Sequence, residues 1–512
     1  MRPSLSGESP LKPPISVPSL MLMRFLRFVF AIAGLLGGGL DPAFAEETPP
    51  PTVNTPEETR LAQTMMKTNR SKVPPRYFRP QLPNIVFILA DDLGYGDLGS
   101  YGQKLIQTPN LDQLAADGMR FTSVYAGSTV CAPSRSVLMT GQHTGHTPIR
   151  GNAKMALGTN VVTVAKLLRS AGYVSGIIGK WGLGNEGTSG EPNRQGFDEQ
   201  FGFLDQTEAH NYYPETLVRN GVRIPVQDNQ RGRKSLYVAD YFTSVALNFI
   251  SEYKQKPFFL YLSYTTPHAH NALTKATGNG MEVPNDAPYS TNSWPQPEKN
   301  KAAMITRLDA QIGAVLQRIK DENLDSQTII FFSSDNGPHK EGGNDPAFFQ
   351  SSGPLRGIKR DLSEGGIRVP MIVRGHTRVP AGKVSGFPWA FWDFLPTAVE
   401  LAGLKVPTGI DGRSVLPTLL GKEQAPAEFL YWEFHEGGSK QAVRMGDWKA
   451  IRPFGKPIEL FNLKSDLGET NNVASANKDV VKKIEEYMAT ARTESETWPL
   501  KGPAPKKAKK KE

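Results

Sequence analysis

Asn84-Ile-Val-Phe-Ile-Leu-Ala-Asp-Asp92 is a short, unbroken apolar run closed by two carboxylates. A run that does not alternate reads as a strand buried on both faces, and such strands belong to parallel sheets covered by helices. Working outward, strand and helix keep alternating. Thr108-Pro109 is an N-cap followed by proline at the first helical position, opening a helix through Leu114 that Gly118 stops. Val161–Ser170 is amphipathic and leads into strand Tyr173–Ile178. A helix over Val238–Tyr253 precedes strand Pro257–Tyr264, and a helix over 297–322 precedes strand Thr328–Ser333. This order predicts an α/β fold, a large mainly parallel or mixed sheet sandwiched by helices, over residues 81–424. Beyond 425 come short strand-like pieces, Phe429–Glu433, Ala442–Met445 and Trp448–Ile451, then a helix over Lys478–Arg492. They predict a small C-terminal antiparallel sheet plus helix, a subdomain over 425–498.

The 512 residues are 38% hydrophobic and 21% charged, with 49 Gly, 41 Pro and one Cys, which excludes a disordered chain, a collagen, a disulfide scaffold and a multi-span membrane protein. The formal charge of +9 sits mostly at the ends: residues 1–45 carry +2 and residues 501–512 carry +5, leaving about +2 for the body. Nucleic acid is therefore not an expected partner. Arg24 and Arg27 precede the apolar run Phe28 to Leu36 and then Ala43-Phe44-Ala45, the pattern of a cleaved signal peptide over 1–45. The alternative is an uncleaved anchor, but a span needs about 20 apolar residues and this run is shorter. Cleavage after Ala45 predicts a periplasmic or extracellular protein with no stable membrane span, its translation start at Met1, Met21 or Met23. Residues 46–80 read as a Pro-rich leader and 499–512 as a basic disordered tail.

Ligands in open α/β sheets bind beyond the carboxyl ends of strands. Those ends carry Asp91-Asp92, Gly179-Lys180, Pro267-His268 and Asp335-Asn336. Asp91, Asp92, Asp335 and Asn336 offer oxygen alone, a set that suits Ca2+ or Mg2+ and argues against zinc. His143 and His146 fall in a Gly/Thr-rich stretch and read as loop residues. Cys131 opens a helix, Cys131-Ala-Pro133-Ser-Arg135-Ser-Val-Leu-Met-Thr-Gly141, whose free N–H groups favour an anion, and Arg135 follows one turn later. A hard cation, a nucleophile at a helix start, Arg135, Lys180 and Lys359 make the apparatus of sulfuryl or phosphoryl transfer.

Cys131-Ala-Pro133-Ser-Arg135 resembles the Cys-x-Pro-x-Arg signature of type I sulfatases, members of the alkaline phosphatase superfamily. Four further segments resemble the family in order: Ala90-Asp91-Asp92-Leu-Gly-Tyr-Gly-Asp; Ser334-Asp335-Asn336-Gly337; Leu355 through Lys359 and Glu364 to Pro370; and Gly446-Asp-Trp-Lys449 with Glu459-Leu-Phe-Asn-Leu and Gly468-Glu-Thr. The resemblance covers roughly 83–475. It implies a sulfuric ester hydrolase acting on a small-molecule or carbohydrate sulfate ester. It implies that a formylglycine-generating enzyme converts Cys131 to formylglycine, whose hydrate attacks sulfur. Asp91, Asp92, Asp335, Asn336 and the modified Cys131 would hold Ca2+, in preference to Mg2+. Arg135 and Lys180 would steady the hydrate, and Lys359 with His268 would bind sulfate and protonate the leaving oxygen.

The chain departs from the family at one point. Where the family reads Gly-Lys-Trp-His-Leu-Gly, this sequence reads Gly179-Lys180-Trp181-Gly182-Leu183-Gly184, and the histidine that serves the hydrate is missing. His210 is the first candidate to replace it and His435 the second; His270 and His339 stand beside motif residues. Two other readings follow: a phosphodiester or phosphonate monoester hydrolase of the same superfamily, or a binding homologue without turnover. Tyr212, Tyr213, Trp294 and Trp432 are candidate walls for a sugar, or core.

Overall fold

The computed structural model describes residues 82–375 and 378–503. The expected signal peptide and leader, and residues 504–512 of the expected tail, lie outside the described residues. Eleven strands form the large sheet: β1 (Asn84–Ala90), β2 (Met119–Tyr125), β3 (Val174–Lys180), β4 (Glu199–Phe203), β5 (Thr216–Arg219), β6 (Val222–Pro225), β7 (Phe258–Ser263), β8 (Thr328–Ser334), β9 (Arg368–Gly375), β10 (Lys383–Ser385) and β11 (Trp389–Ala390). Their order is β10-β2-β9-β8-β1-β7-β3-β4-β5-β6, with β11 also on β2. The centre, β8-β1-β7-β3-β4, is parallel, whereas on one side β9 runs antiparallel to both β8 and β2, and the β5–β6 hairpin, antiparallel to β4, closes the other. The expected mixed α/β sheet is therefore the observed one.

Successive residues of a strand point to opposite faces, and the central strands feed two cores accordingly. Ile85, Phe87, Leu89, Phe259 and Phe331 pack with helices α2 (Cys131–Thr140), α3 (Val164–Ser170) and α6 (Phe394–Leu401). Val86, Ile88, Leu260, Ile330 and Phe332 pack with α1 (Pro109–Ala116), α4 (Val238–Tyr253) and α5 (Gln296–Asp321). β1 is buried at all seven positions, as its unbroken apolar text requires.

Local chemistry shifts some expected boundaries. The α1 helix begins at Pro109, but Thr108 does not cap it with its side chain; its Oγ1 accepts the Gly99 N–H at 2.9 Å instead. Helix α3 starts at Val164 and not Val161, because Thr163 Oγ1 accepts the Lys166 N–H and fixes the start there. β3 runs on to Lys180, so Gly179-Lys180 is the strand end itself.

The C-terminal sheet has four antiparallel strands, β12 (Leu430–Phe434), β13 (Lys440–Met445), β14 (Trp448–Pro453) and β15 (Glu459–Asn462). One face, with Trp432, Ala442 and Phe461, joins the first core. The other, with Tyr431, Val443 and Leu460, is covered by Ile484 and Met488 of α7 (Lys478–Thr490). Of the tail, Lys501 is held to the sheet: its carbonyl accepts the Ser439 N–H at 2.8 Å and its N–H donates to Ser439 Oγ at 3.0 Å. Among the described residues no helix is long and apolar enough to cross a membrane.

Candidate active site

Because β8, β1, β7 and β3 are neighbours with the same direction, their carboxyl ends deliver Asp335-Asn336, Asp91-Asp92, His268 and Lys180 to one place. Helix α2 brings the rest. Its Ala132 N–H donates to Asn152 Oδ1 at 3.0 Å, its start is pinned by Ser134 Oγ accepting the Gly127 N–H, and all ten of its residues are buried. Cys131 Sγ thereby lies 3.3 Å from Asp91 Oδ1. Arg135, one turn on, donates from Nε and Nη2 to Asp335 Oδ2 at 3.1 and 2.8 Å. Its Nη1 donates to the Lys180 carbonyl at 2.9 Å and to Ser263 Oγ.

Each carboxylate has its own cation. Lys180 Nζ donates to Asp91 Oδ2 at 2.7 Å, and Lys359 Nζ donates to Asp92 Oδ2 at 2.7 Å. Lys359 Nζ also lies 3.0 Å from His268 Nε2. Burial pushes the Asp91 carboxyl up, but Lys180, His268 and Arg135 outweigh it and hold it well below the usual range. Asp335 moves the other way, raised by burial and then by the Asp91 charge. Burial would lower Lys359, yet Asp92 keeps it firmly protonated. Burial and then Asp335 and Asp91 push the Cys131 thiol well up, so the unmodified side chain is a neutral thiol at neutral pH and a poor nucleophile.

Donor atoms of Asp91, Asp92, Cys131 and His268 lie within 4.8 Å of one another. Asn336 donates from Nδ2 to Asp92 Oδ1 at 2.6 Å and leaves its buried Oδ1 without a partner. Three crowded carboxylates and an unmet amide oxygen are the donor set of a hard divalent cation, and they fit calcium. A second grouping, His143, His146 and Asp411, is occupied by its own hydrogen bonds. The Gly145 N–H donates to His143 Nδ1 at 3.1 Å, which leaves the proton on Nε2 facing Asp411, and His146 Nδ1 lies 2.9 Å from Asp411 Oδ1.

A cavity of about 320 Å³ opens over the site, lined by Cys131, Gly182, His210, His268 and Lys359 among others. The structure brings together Asp91, Asp92, Cys131, Arg135, Lys180, His268, Asp335, Asn336 and Lys359, and places His210 in the same wall. The His210 ring stacks on His268 with centroids 3.8 Å apart. Burial, then the His268 and Lys180 charges, hold it far below the usual histidine range, so it is neutral. His435 is not in the cavity lining: its Nε2 is 3.0 Å from Glu433 Oε1 on the C-terminal sheet. His270 is taken by Glu282 at 2.7 Å, and His339 stacks behind His268. The aromatic candidates are not cavity walls. Tyr212 and Trp432 are fully buried, their polar atoms donating to the Thr265 and Ala126 carbonyls, and Trp294 packs on Tyr289 and Phe349.

Two cavity residues, Gln206 and Glu341, have no signature in the sequence. Gly182 has φ of +77°, and a Cβ there would lie 2.2 Å from Gln206 Nε2. The amide of Gln206 thus occupies the space that a side chain at 182 would enter. Glu341, in the same lining, is the second.

A candidate cation site rich in carboxylate oxygens, a helix-borne side chain beside it and four cationic or imidazole groups are the parts that a hydrolase of tetrahedral oxyanion esters needs. The Sulfatase family profile matches residues 83–404, and the profile described as N-sulphoglucosamine sulphohydrolase, C-terminal, matches residues 358–494. The chain belongs to the sulfatase family, type I, of the alkaline phosphatase superfamily, and is a sulfuric ester hydrolase. It is similar to the N-acetylgalactosamine-6-O-sulfatase of Bacteroides thetaiotaomicron, 29% identical over 505 residues that cover 81% of this chain and 94% of that one. It is 31% identical over 412 residues to the N-acetylgalactosamine-6-sulfatase of Canis lupus familiaris, covering 72% of each chain. The solved structure of Ps i-CgsB in complex with k-i-k-neocarrahexaose aligns with a TM-score of 0.71 and 31% identity, over 81% of this chain and 94% of that one.

Proposed function

We propose that this sulfatase is an exported enzyme that removes sulfate from carbohydrate esters, using formylglycine made from Cys131 beside a calcium ion. The observation that carries the proposal is the seat of Cys131: at the start of a buried helix, 3.3 Å from Asp91, in the wall of the cavity that Lys359 and His268 also face. Asp91, Asp92, Asp335, Asn336 and residue 131 would hold the calcium, which supplies Lewis-acid charge to the ester oxygens when bound. A formylglycine hydrate at residue 131 would supply the attacking hydroxyl. Covalent catalysis of this kind divides one hard step into two easier ones.

The chain's own residues do the rest. Arg135 and Lys180, locked onto Asp335 and Asp91, fix the two carboxylates and the start of α2. Lys359 carries the proton for the leaving oxygen, since Asp92 keeps it charged, and His268 hydrogen-bonds alongside it. His210, in the cavity wall and stacked on His268, is the residue we assign as the base in place of the histidine absent at 182, on its position and not on its basicity. That placement favours turnover over a binding homologue.

The relatives are named for N-acetylgalactosamine 6-sulfate, and Ps i-CgsB was solved with a neocarrahexaose. Both support a sulfated carbohydrate as substrate. The phosphonate monoester hydrolase of Agrobacterium radiobacter shares the fold at 19% identity and lends no support to phosphorus chemistry here. We read 81–424 as the catalytic domain and 425–498 as its subdomain, with a signal peptide cleaved near Ala45 and a formylglycine-generating enzyme as maturation partner. The test is sulfate release from 4-nitrophenyl sulfate and N-acetylgalactosamine 6-sulfate by protein matured with that enzyme. Turnover that Cys131→Ala abolishes supports the proposal; turnover that survives Cys131→Ala overturns it.

A further inference from the structure

Glu341 sets a carboxylate against the two groups proposed above to hold the sulfate. Its Oε1 lies 3.8 Å from Lys359 Nζ and its Oε2 3.8 Å from His268 Nε2, in the lining of the cavity. The inner side of that pair already has an anion in Asp92, at 2.7 and 3.3 Å. Glu341 is also fixed in place. Its N–H donates to His339 Nδ1 at 3.0 Å, and Arg360 Nη1 donates to its Oε1 at 2.6 Å. Arg360 has a second partner in Glu436, 3.0 Å from its Nε, so it does not need Glu341 to be paired.

A carboxylate beside an anion-binding pair weakens the capture of every anion, so its place there calls for a compensating gain. Sulfate and phosphate monoesters share one shape. The sulfate carries one negative charge, while the phosphate carries close to two at neutral pH. Coulomb repulsion scales with the product of the charges, so a carboxylate at this range opposes the dianion about twice as strongly.

We propose that Glu341 is a specificity-determining residue that selects monoanionic sulfate esters against dianionic phosphate monoesters. The proposal rests on the reading of Lys359 and His268 as the sulfate-binding pair. The test compares kcat/KM for 4-nitrophenyl sulfate, 4-nitrophenyl phosphate and methyl 4-nitrophenyl phosphate, a diester with a single charge, in the matured full-length protein. Neutral variants are Glu341→Gln and Glu341→Ser, so that failure of one to fold leaves the other; Glu341→Asp keeps the charge. The neutral variants should raise the phosphate-monoester to sulfate ratio about tenfold, about 1.4 kcal/mol. The diester to sulfate ratio should hold within about threefold, and Glu341→Asp should keep the wild-type ratios. An unchanged monoester ratio overturns the proposal, and so does an equal rise for both phosphorus esters, which would mean added space and not charge. A wild-type protein that turns over no sulfate ester would instead overturn the underlying reading, and this proposal with it.

Discussion

At position 182 the left-handed backbone strains any ordinary side chain, and a Cβ would also have to displace the Gln206 amide, 2.2 Å from where it would stand. Gly182→His is therefore expected to cost about 1–3 kcal/mol in stability by overpacking and backbone strain. Adding Gln206→Ala should return part of that loss, a non-additivity that urea unfolding of the two single variants and the double variant would measure. If His210 is the base, His210→Ala should lower kcat about 100-fold with a smaller change in KM, the range typical of a lost acid–base group. His435→Ala, outside the cavity, should hold kcat within about threefold. Equal losses from the two would sink the assignment. Asp91, Asp92, Asp335 and Asn336 were legible because strand-end carboxylates follow apolar runs in plain text. Gln206 and Glu341 were not, because their loops reach the cavity only through tertiary folding and carry no local pattern.

Among the elements, the C-terminal sheet is tied to the main domain by charges buried out of water. Lys449 Nζ on β14 donates to Glu364 Oε1 at 2.9 Å and lies 3.5 Å from Glu469 Oε1. The Glu364 carboxylate also takes Arg368 and the Tyr125 hydroxyl, at 3.1 and 2.7 Å. This explains why Lys449 and Glu469 stand in the closing motifs of the sequence: they complete a buried network that begins at Glu364, in the lysine-bearing segment. Glu364→Ala would leave Lys449 buried with only Glu469 beside it, and should destabilise by about 3–5 kcal/mol in chemical denaturation. A loss below about 1 kcal/mol, the worth of an exposed pair, would contradict the network. Helices α4 and α5 were readable to within a residue from their periodicity. Strand β15, only four residues long, was not, since so short a run has no period to read.

For the whole molecule, burial is offset at Glu364 by Lys449 and at Glu433 by His435 and Arg150, which hold both carboxyls below the usual range, Glu433 at about 2. Groups with lowered pKa contribute stability that is full above the unfolded value and is lost as pH falls. Melting temperature should therefore drop between about pH 5 and pH 2. Asp393, pushed up to about 7 by burial, has the opposite sign and should erode stability as pH rises through neutrality. A melting temperature that stays flat from pH 5 down to pH 2 would contradict the first assignment. A calcium ion held as proposed would bind only the folded site, so chelation should lower both activity and melting temperature, and added calcium should restore them. Saturation at about 100 times Kd is worth about 2.7 kcal/mol. Unchanged melting and activity in chelator would remove the metal from the account.

The central claim is the nucleophile, and the mass of the tryptic peptide Phe121–Arg135 tests it most directly, in protein made with a formylglycine-generating enzyme. The account predicts an aldehyde in place of the thiol at residue 131. A peptide that still carries free thiol, from a host that converts a control sulfatase, would contradict it.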